Sequence, residues 1–296
     1  MKDVVIIGKG PAGISAALYT VRANLETTIL GNEESAIIKA DKIDNYYGFA
    51  ESISGKDLLR AGEEQAKRIG AKIVNTEVYG IEQMAEGFIV KTSQANYEAK
   101  TVLIATGQTL KKADIKNLDK YEGIGVSYCT TCDGFFYKNL AVGVVGSGEY
   151  ALHEASELET FTKNITIFTN GVELDVKDKS IIEKYEVEKR KIIQINGEES
   201  IKSVTLEDGT ERDIDGLFIA AGSASGVDFA RKMGVLFDGN NIVVDKDQKT
   251  NIPGLFAAGD VTGGFKQIST AVGQGAIAGR RIIEFVRQKN NKYMEE

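Results

Sequence analysis

The sequence predicts an α/β protein built from two doubly wound domains. Three observations carry that expectation. A strand, glycine turn, helix and strand open the chain at residues 4–30, the same unit recurs at 141–168, and short β-prone runs alternate with helical patterns between them. A length of 296 residues also suits two domains, each large enough to bury its own core.

Val4-Val5-Ile6-Ile7 reads as a first buried strand and is too short for a signal-peptide core. Gly8-Lys9-Gly10-Pro11-Ala12-Gly13 follows and fits G-x-G-x-x-G where strand passes into helix. The first glycine permits the tight turn and the second leaves room for a pyrophosphate. The third lets helix and strand pack closely, with phosphates at the helix N-terminus. Residues 14–23 continue as helix and 27–30 as the second strand. An acid is expected about 20 residues after the last glycine, to hold ribose hydroxyls. Glu33 stands there, with Glu34 beside it; a solvated loop carboxylate is the other reading.

Helix is expected at 55–69 and strand at 88–92 and 101–105, the last ended by Thr106-Gly107. Residues 141–145, the turn Gly146-Ser147-Gly148-Glu149-Tyr150-Ala151, a helix to about 161 and a strand at 165–168 repeat the opening unit. A strand at 217–221 ends in Gly222, and Gly254-Leu255-Phe256-Ala257-Ala258-Gly259-Asp260 precedes a long helix at 273–288. Polar residues at 111–120 and 240–245 are candidate crossings between domains.

Composition narrows the function. The chain is 42% hydrophobic and 27% charged, with no apolar stretch long enough to span a bilayer, so a cytoplasmic protein is expected. A net charge of −7 argues against a general nucleic-acid binder. With a single histidine, His153, a mononuclear zinc site within one chain is not expected, and no metal is assigned. His153 reads as an ordinary helix residue rather than a catalyst.

Both cysteines lie in Cys129-Thr130-Thr131-Cys132, followed by Asp133. Two cysteines three apart can close a small disulfide ring, one thiolate attacking or leaving. Asp133 could deliver the proton a leaving thiolate needs. Half a zinc site completed by a second subunit, and two buried inert thiols, remain the other readings. The dinucleotide turn elsewhere in the chain favours redox chemistry by supplying an electron source.

The run from Gly125 through Tyr128-Cys129-Thr130-Thr131-Cys132-Asp133-Gly134-Phe135-Phe136-Tyr137 resembles the redox motif of bacterial-type, low-molecular-weight thioredoxin reductases. Gly8-Lys9-Gly10-Pro11-Ala12-Gly13 and Ala257-Ala258-Gly259-Asp260-Val261 resemble that family's FAD motifs, in the same order along the chain. The resemblance implies two Rossmann-like domains, the second inserted into the first: an FAD domain at 1–112 and 243–296, and a cysteine-bearing domain at 113–242. It implies a homodimer with thioredoxin as substrate. Gly8, Gly10, Pro11, Ala12, Gly13, Glu33, Gly259 and Asp260 would hold FAD, with Gln267 and the backbone near Ile268 facing the flavin pyrimidine. Cys132 would lie on the flavin side and Cys129 would attack the protein substrate. Phe135 and Phe136 read equally as a docking surface or as core.

The resemblance breaks at the second nucleotide site. Gly146, Gly148 and Ala151 keep G-x-G-x-x-A, yet Tyr150 is bulky where a pyrophosphate must approach. NADPH-dependent members place a His-Arg-Arg cluster after the next strand; this chain has Thr169-Asn170-Gly171-Val172-Glu173, with no basic residue. The chain is more similar here to the flavin thioredoxin reductases of anaerobic bacteria that take electrons from reduced ferredoxin. Lys111, Lys112 and Lys116 could meet an acidic ferredoxin or simply be a solvated face. The FAD domain's usual Gly-Gly-Gln is replaced by Ser35-Ala36-Ile37-Ile38, and its usual Pro-Arg by the run at Thr109-Leu110-Lys111. An NADPH-dependent reductase is the alternative enzyme, and a flavin-bearing redox sensor without turnover is the alternative of another class.

Overall fold

The computed structural model describes residues 1–32, 35–107, 113–176, 183–221 and 226–295. The chain divides into two compact units, Met1–Thr109 with Ser225–Glu296, and Leu110–Ala224.

The first unit is built on a sheet whose central strand is β1 (Lys2–Ile7). On one side lie β2 (Thr27–Gly31) and β3 (Lys72–Asn75), both parallel. On the other lies β6 (Asn96–Ile104), also parallel to β1. The free edge of β6 has two partners. Its first half pairs antiparallel with β5 (Phe88–Thr92), which pairs in turn with β4 (Val78–Gln83), and its second half pairs parallel with β17 (Leu255–Ala257). Ile7 and Ala257 both register with Ile104. The glycine turn after β1 and the Gly259-Asp260 turn after β17, far apart in sequence, therefore leave the sheet at the same end. The strand order reverses there, and open α/β sheets bind ligands at such a point.

Helices α1 (Pro11–Arg22) and α6 (Ile268–Glu295) cover this sheet and touch each other through small residues. A β-carbon added to Gly275 would lie 2.1 Å from the Ala12 carbonyl oxygen, and one on Gly279 would lie 2.8 Å from that of Ala16. Ser15 Oγ donates across the contact to Val272 O at 2.8 Å. The sequence places this helix at 273–288, and it begins five residues earlier, at Ile268. The closeness of α1 accounts for Gly275 and Gly279. Val4, Ile6, Ile29, Leu103, Phe256 and Ile282 form the centre of the buried core. Helix α2 (Gly55–Arg68) starts on a Ser54 cap that accepts from Asp57 N at 3.1 Å.

The return to the first unit comes earlier than the expected 243. Helix α5 (Gly226–Lys232) already belongs to it: an added β-carbon on Gly226 would meet Thr106 Oγ1 at 2.3 Å. The polar run at 240–245 instead begins in a two-stranded hairpin, β15 (Phe237–Asp238) with β16 (Asn241–Ile242).

The second unit carries a parallel sheet in the order β10 (Glu186–Glu188), β9 (Ile165–Phe168), β8 (Val142–Val145), β14 (Gly216–Ile219), β7 (Val126–Ser127). Helix α4 (Glu149–Leu158) links β8 to β9, repeating the β1–α1–β2 unit. A three-stranded antiparallel sheet, β11 (Ile192–Gly197), β12 (Ile201–Leu206) and β13 (Glu211–Asp213), packs its apolar face into the core with Val145, Phe168 and Leu217. Among the described residues no helix is long and apolar enough to cross a membrane.

Candidate functional site

Cys129 and Cys132 form a disulfide, with Cα atoms 5.3 Å apart. Neither is a free thiol, so the reading of two inert buried thiols falls away. The pair sits on one short helical turn, α3 (Thr130–Asp133), with Cys129 at its N-cap. Cys129 Sγ accepts the Cys132 N–H at 3.2 Å, a bond that favours a thiolate on Cys129 once the disulfide opens. The two cysteines differ in access: Cys129 is 3% exposed, while Cys132 is exposed.

Asp133 is half-buried beside the pair, and its Oδ2 accepts from Ser127 Oγ at 2.6 Å. Ser127 Oγ in turn accepts the Cys129 N–H at 3.1 Å. The carboxylate that could hand a proton to a leaving thiolate is thus linked through one hydroxyl to the backbone of Cys129. Tyr137 lies in the same segment. Burial, and secondarily the Asp133 charge, hold its phenol above the usual tyrosine value, so it stays neutral. Phe135 and Phe136 are 70% and 72% exposed, which removes the core reading of these two rings.

What faces the other side of the cysteine turn was not legible in the sequence. Glu154 of α4, only 2% exposed, accepts from Thr130 Oγ1 at 2.6 Å and from Thr130 N at 3.3 Å through the same oxygen. Glu157 accepts from Thr131 Oγ1 at 3.2 Å and pairs with His153 Nε2 at 3.1 Å. His153, read from sequence as an ordinary helix residue, therefore stands one residue removed from the redox segment. The signal was a tertiary one: nothing in the spacing of residues 153–157 points to residues 130 and 131.

In the first unit, the turn between β1 and α1 has the features a dinucleotide needs. Gly8 has φ +112°, and a β-carbon there would lie 2.2 Å from the Ala105 carbonyl oxygen. One on Gly13 would lie 2.0 Å from Gly8 O. One on Gly10 would meet nothing within 4 Å, so this position opens outward. Helix α1 starts at Pro11 with no side-chain cap and no acid in its first turn, leaving its positive end uncompensated. Gly259, at φ +84°, packs against Ala12, its added β-carbon 3.0 Å from Ala12 Cβ, and leads into the short turn Asp260–Thr262. Gln274 Oε1 accepts the Gly259 N–H at 2.8 Å and holds this second turn in place. Gln267 Oε1 accepts from Asn45 Nδ2 at 2.9 Å, and Ile268 is the first residue of α6. These residues fit FAD: the open Gly10 and bare helix start suit its diphosphate, and Asp260 can take a hydroxyl. Glu33 lies outside the described residues, as do Lys111 and Lys112.

The second glycine turn has been put to other use. Gly146 keeps its packing role, its added β-carbon 2.3 Å from Ala220 O. Tyr150, however, is buried at the start of α4, and Glu149 places an acid in the first turn. The backbone of the 171–176 segment then lies along the turn itself: Asp175 bridges Gly148 in the manner of a parallel strand, and its N–H donates to Ser147 O at 2.8 Å.

At the end of β9, Thr169 is 2% exposed and Asn170 Oδ1 is taken by the Ile192 N–H at 2.9 Å. The expectation of no basic residue there needs correction. The connection from β10 to β11 brings Lys191 against Gly171, whose added β-carbon would sit 2.7 Å from Lys191 Cε. It also brings Arg190, but that guanidinium is held by Glu188 Oε2 and Asp208 Oδ2, each at 2.6 Å.

The family of pyridine nucleotide-disulphide oxidoreductases matches residues 2–275. A thioredoxin reductase of Listeria innocua is 34% identical over 97% of this chain and 94% of its own length. Among solved structures, the atypical thioredoxin reductase TRi from Desulfovibrio vulgaris Hildenborough is 40% identical with a TM-score of 0.90, covering 97% of this chain and 99% of that one. A ferredoxin-flavin thioredoxin reductase from Clostridium acetobutylicum is 29% identical with a TM-score of 0.70, covering 97% and 98%.

Proposed function

The chain belongs to the pyridine nucleotide-disulphide oxidoreductase family and, within it, to the thioredoxin reductases, and from that premise we propose that reduced ferredoxin, not NADPH, supplies its electrons. The chain is a thioredoxin reductase with FAD as cofactor and thioredoxin as partner.

The observation that carries the choice of donor is the strand-like bridge between Asp175 and Gly148. It lays a chain segment along the turn where a second nucleotide's diphosphate would rest. The exposed Asp175 and the buried Tyr150 stand at the same turn. Lys191 offers one point charge, without the forked geometry that recognises a 2′-phosphate, and Arg190 is already spent on two carboxylates. The C. acetobutylicum relative, described as a ferredoxin-flavin enzyme, supports the reading by analogy only.

FAD, when bound, supplies a place where electrons delivered singly are collected for a two-electron reduction. In the proposed sequence, two electrons and two protons open the Cys129–Cys132 bond, leaving Cys132 as a thiol and Cys129 as a thiolate, with the second proton held by Asp133. Cys129 then attacks one sulfur of the thioredoxin disulfide as a thiolate, and Asp133 protonates the sulfur that leaves. Cys132 attacks Cys129 in the mixed disulfide, releasing the second thioredoxin thiol and re-forming the internal bond. Since Cys129 is buried and Cys132 exposed, the attacking step needs Cys129 to become exposed. We propose a homodimer in the cytoplasm as the working form. The test is anaerobic steady-state reduction of thioredoxin with each donor. Turnover with reduced ferredoxin and none with NADPH is expected; the opposite ranking overturns the proposal.

A further inference from the structure

We infer that Glu154 is a positioning residue for the redox disulfide, with the Glu157–His153 pair as its outer support. The two residues between the cysteines are both threonines, and both hydroxyls donate to carboxylates of α4. Thr130, itself fully buried, gives its O–H and its N–H to Glu154 at 2.6 and 3.3 Å. Thr131 gives its O–H to Glu157 at 3.2 Å, and His153 holds Glu157 from the other side at 3.1 Å. Residues 153, 154 and 157 share one helix face, so a single rigid element grips the segment twice.

The grip matters most when the disulfide is open. One turn of helix has no stability of its own. Once the S–S bond is gone, the nearness of the two sulfurs depends on what else anchors residues 130 and 131. The stability of a dithiol's disulfide follows the effective concentration of one thiol at the other. Loosening the anchor lowers that concentration, so the disulfide becomes easier to reduce. This inference rests on the redox role of the cysteines and is independent of the electron donor.

The test equilibrates the FAD-loaded protein anaerobically with dithiothreitol buffers and counts free cysteine thiols by alkylation. In each exchange dithiothreitol closes its own ring disulfide, giving two electrons and two protons to the Cys129–Cys132 bond. Thr130→Val, which keeps shape and removes the hydroxyl, is expected to shift the equilibrium about tenfold toward the dithiol, or about 30 mV in potential. Glu154→Leu should do at least as much, since it also removes the acceptor of the Thr130 N–H, and the double variant little more than Glu154→Leu alone, because the hydroxyl bond is common to both. Glu154→Gln retains an acceptor and should recover most of the shift, and His153→Ala should give a smaller one. A shift below about twofold in Thr130→Val, with the fold intact by circular dichroism, overturns the inference, as does full additivity of the two single variants. Neither ferredoxin nor NADPH enters the experiment, so its failure leaves the donor assignment untouched.

Discussion

The two glycine turns share a plan and differ in what occupies it. Each joins a buried parallel strand to a helix and uses its first glycine to approach a neighbouring strand's carbonyl, Ala105 for Gly8 and Ala220 for Gly146. Past that glycine they diverge. The first turn leaves Gly10 open and its helix start without an acid. The second has Glu149 in the first helical turn, a buried Tyr150, and Asp175 bridged to Gly148. The packing role of a glycine motif and its ligand role are therefore separable: the first survives here where the surroundings speak against the second. The second unit also carries the Cys129–Cys132 disulfide on α3, held against the same helix α4.

The variants that bear hardest on this division alter the cysteines. If the second unit works through its disulfide and not through its glycine turn, Cys129→Ser and Cys132→Ser should each lower thioredoxin reduction by about a thousandfold or more. Cys132→Ser should trap a mixed disulfide with thioredoxin, visible as a band of summed mass on a non-reducing gel, and Cys129→Ser should not. Trapping by Cys129→Ser alone would reverse the two roles.

A smaller effect is expected from matched alanines in the two turns. Gly10→Ala has room in the protein itself, so the apoprotein should fold normally. Its methyl should crowd the diphosphate and weaken FAD about ten- to a hundredfold, measured by flavin fluorescence on titration. Gly148→Ala should leave FAD affinity and ferredoxin-driven turnover unchanged. Equal losses in both would erase the distinction between the turns.

The smallest effect concerns the ion pair that occupies Arg190. Its guanidinium hydrogen bonds hold the Glu188 carboxyl down to about 2 from an ordinary value of 4.5. The stability this carboxylate contributes is complete above pH 4.5 and lost as pH falls toward 2. Glu188→Gln should lower the melting temperature slightly at neutral pH and flatten its dependence across that acidic window. An unchanged acid profile would mean that Arg190 is less firmly held than its distances indicate.

Local pattern made the first turn and the cysteine segment legible in the sequence: four apolar residues, three glycines at fixed spacing, two cysteines three apart. The β8–α4–β9 repeat was legible for the same reason. What escaped was carried by contacts between distant segments. The reason for glycine at 275 and 279 inside α6 was hidden until Ala12 and Ala16 are placed against them. Lys191 and Arg190 reach the end of β9 only through strand pairing, some 20 residues along the chain. Glu154 and Glu157 meet the threonines through packing of α3 on α4, which no periodicity announces.

On the proposed choice of donor, NADPH does not deliver electrons through the second turn. Each charge-assisted contact to a 2′-phosphate is worth about 1.5–3 kcal/mol, so lacking two guanidinium partners weakens binding by about a hundredfold or more. The direct measurement is anaerobic stopped-flow absorbance of the flavin after mixing with millimolar NADPH, and in parallel with reduced ferredoxin. The flavin band is expected to stay through the first seconds with NADPH and to bleach with ferredoxin. Complete bleaching by NADPH on that timescale would contradict that choice.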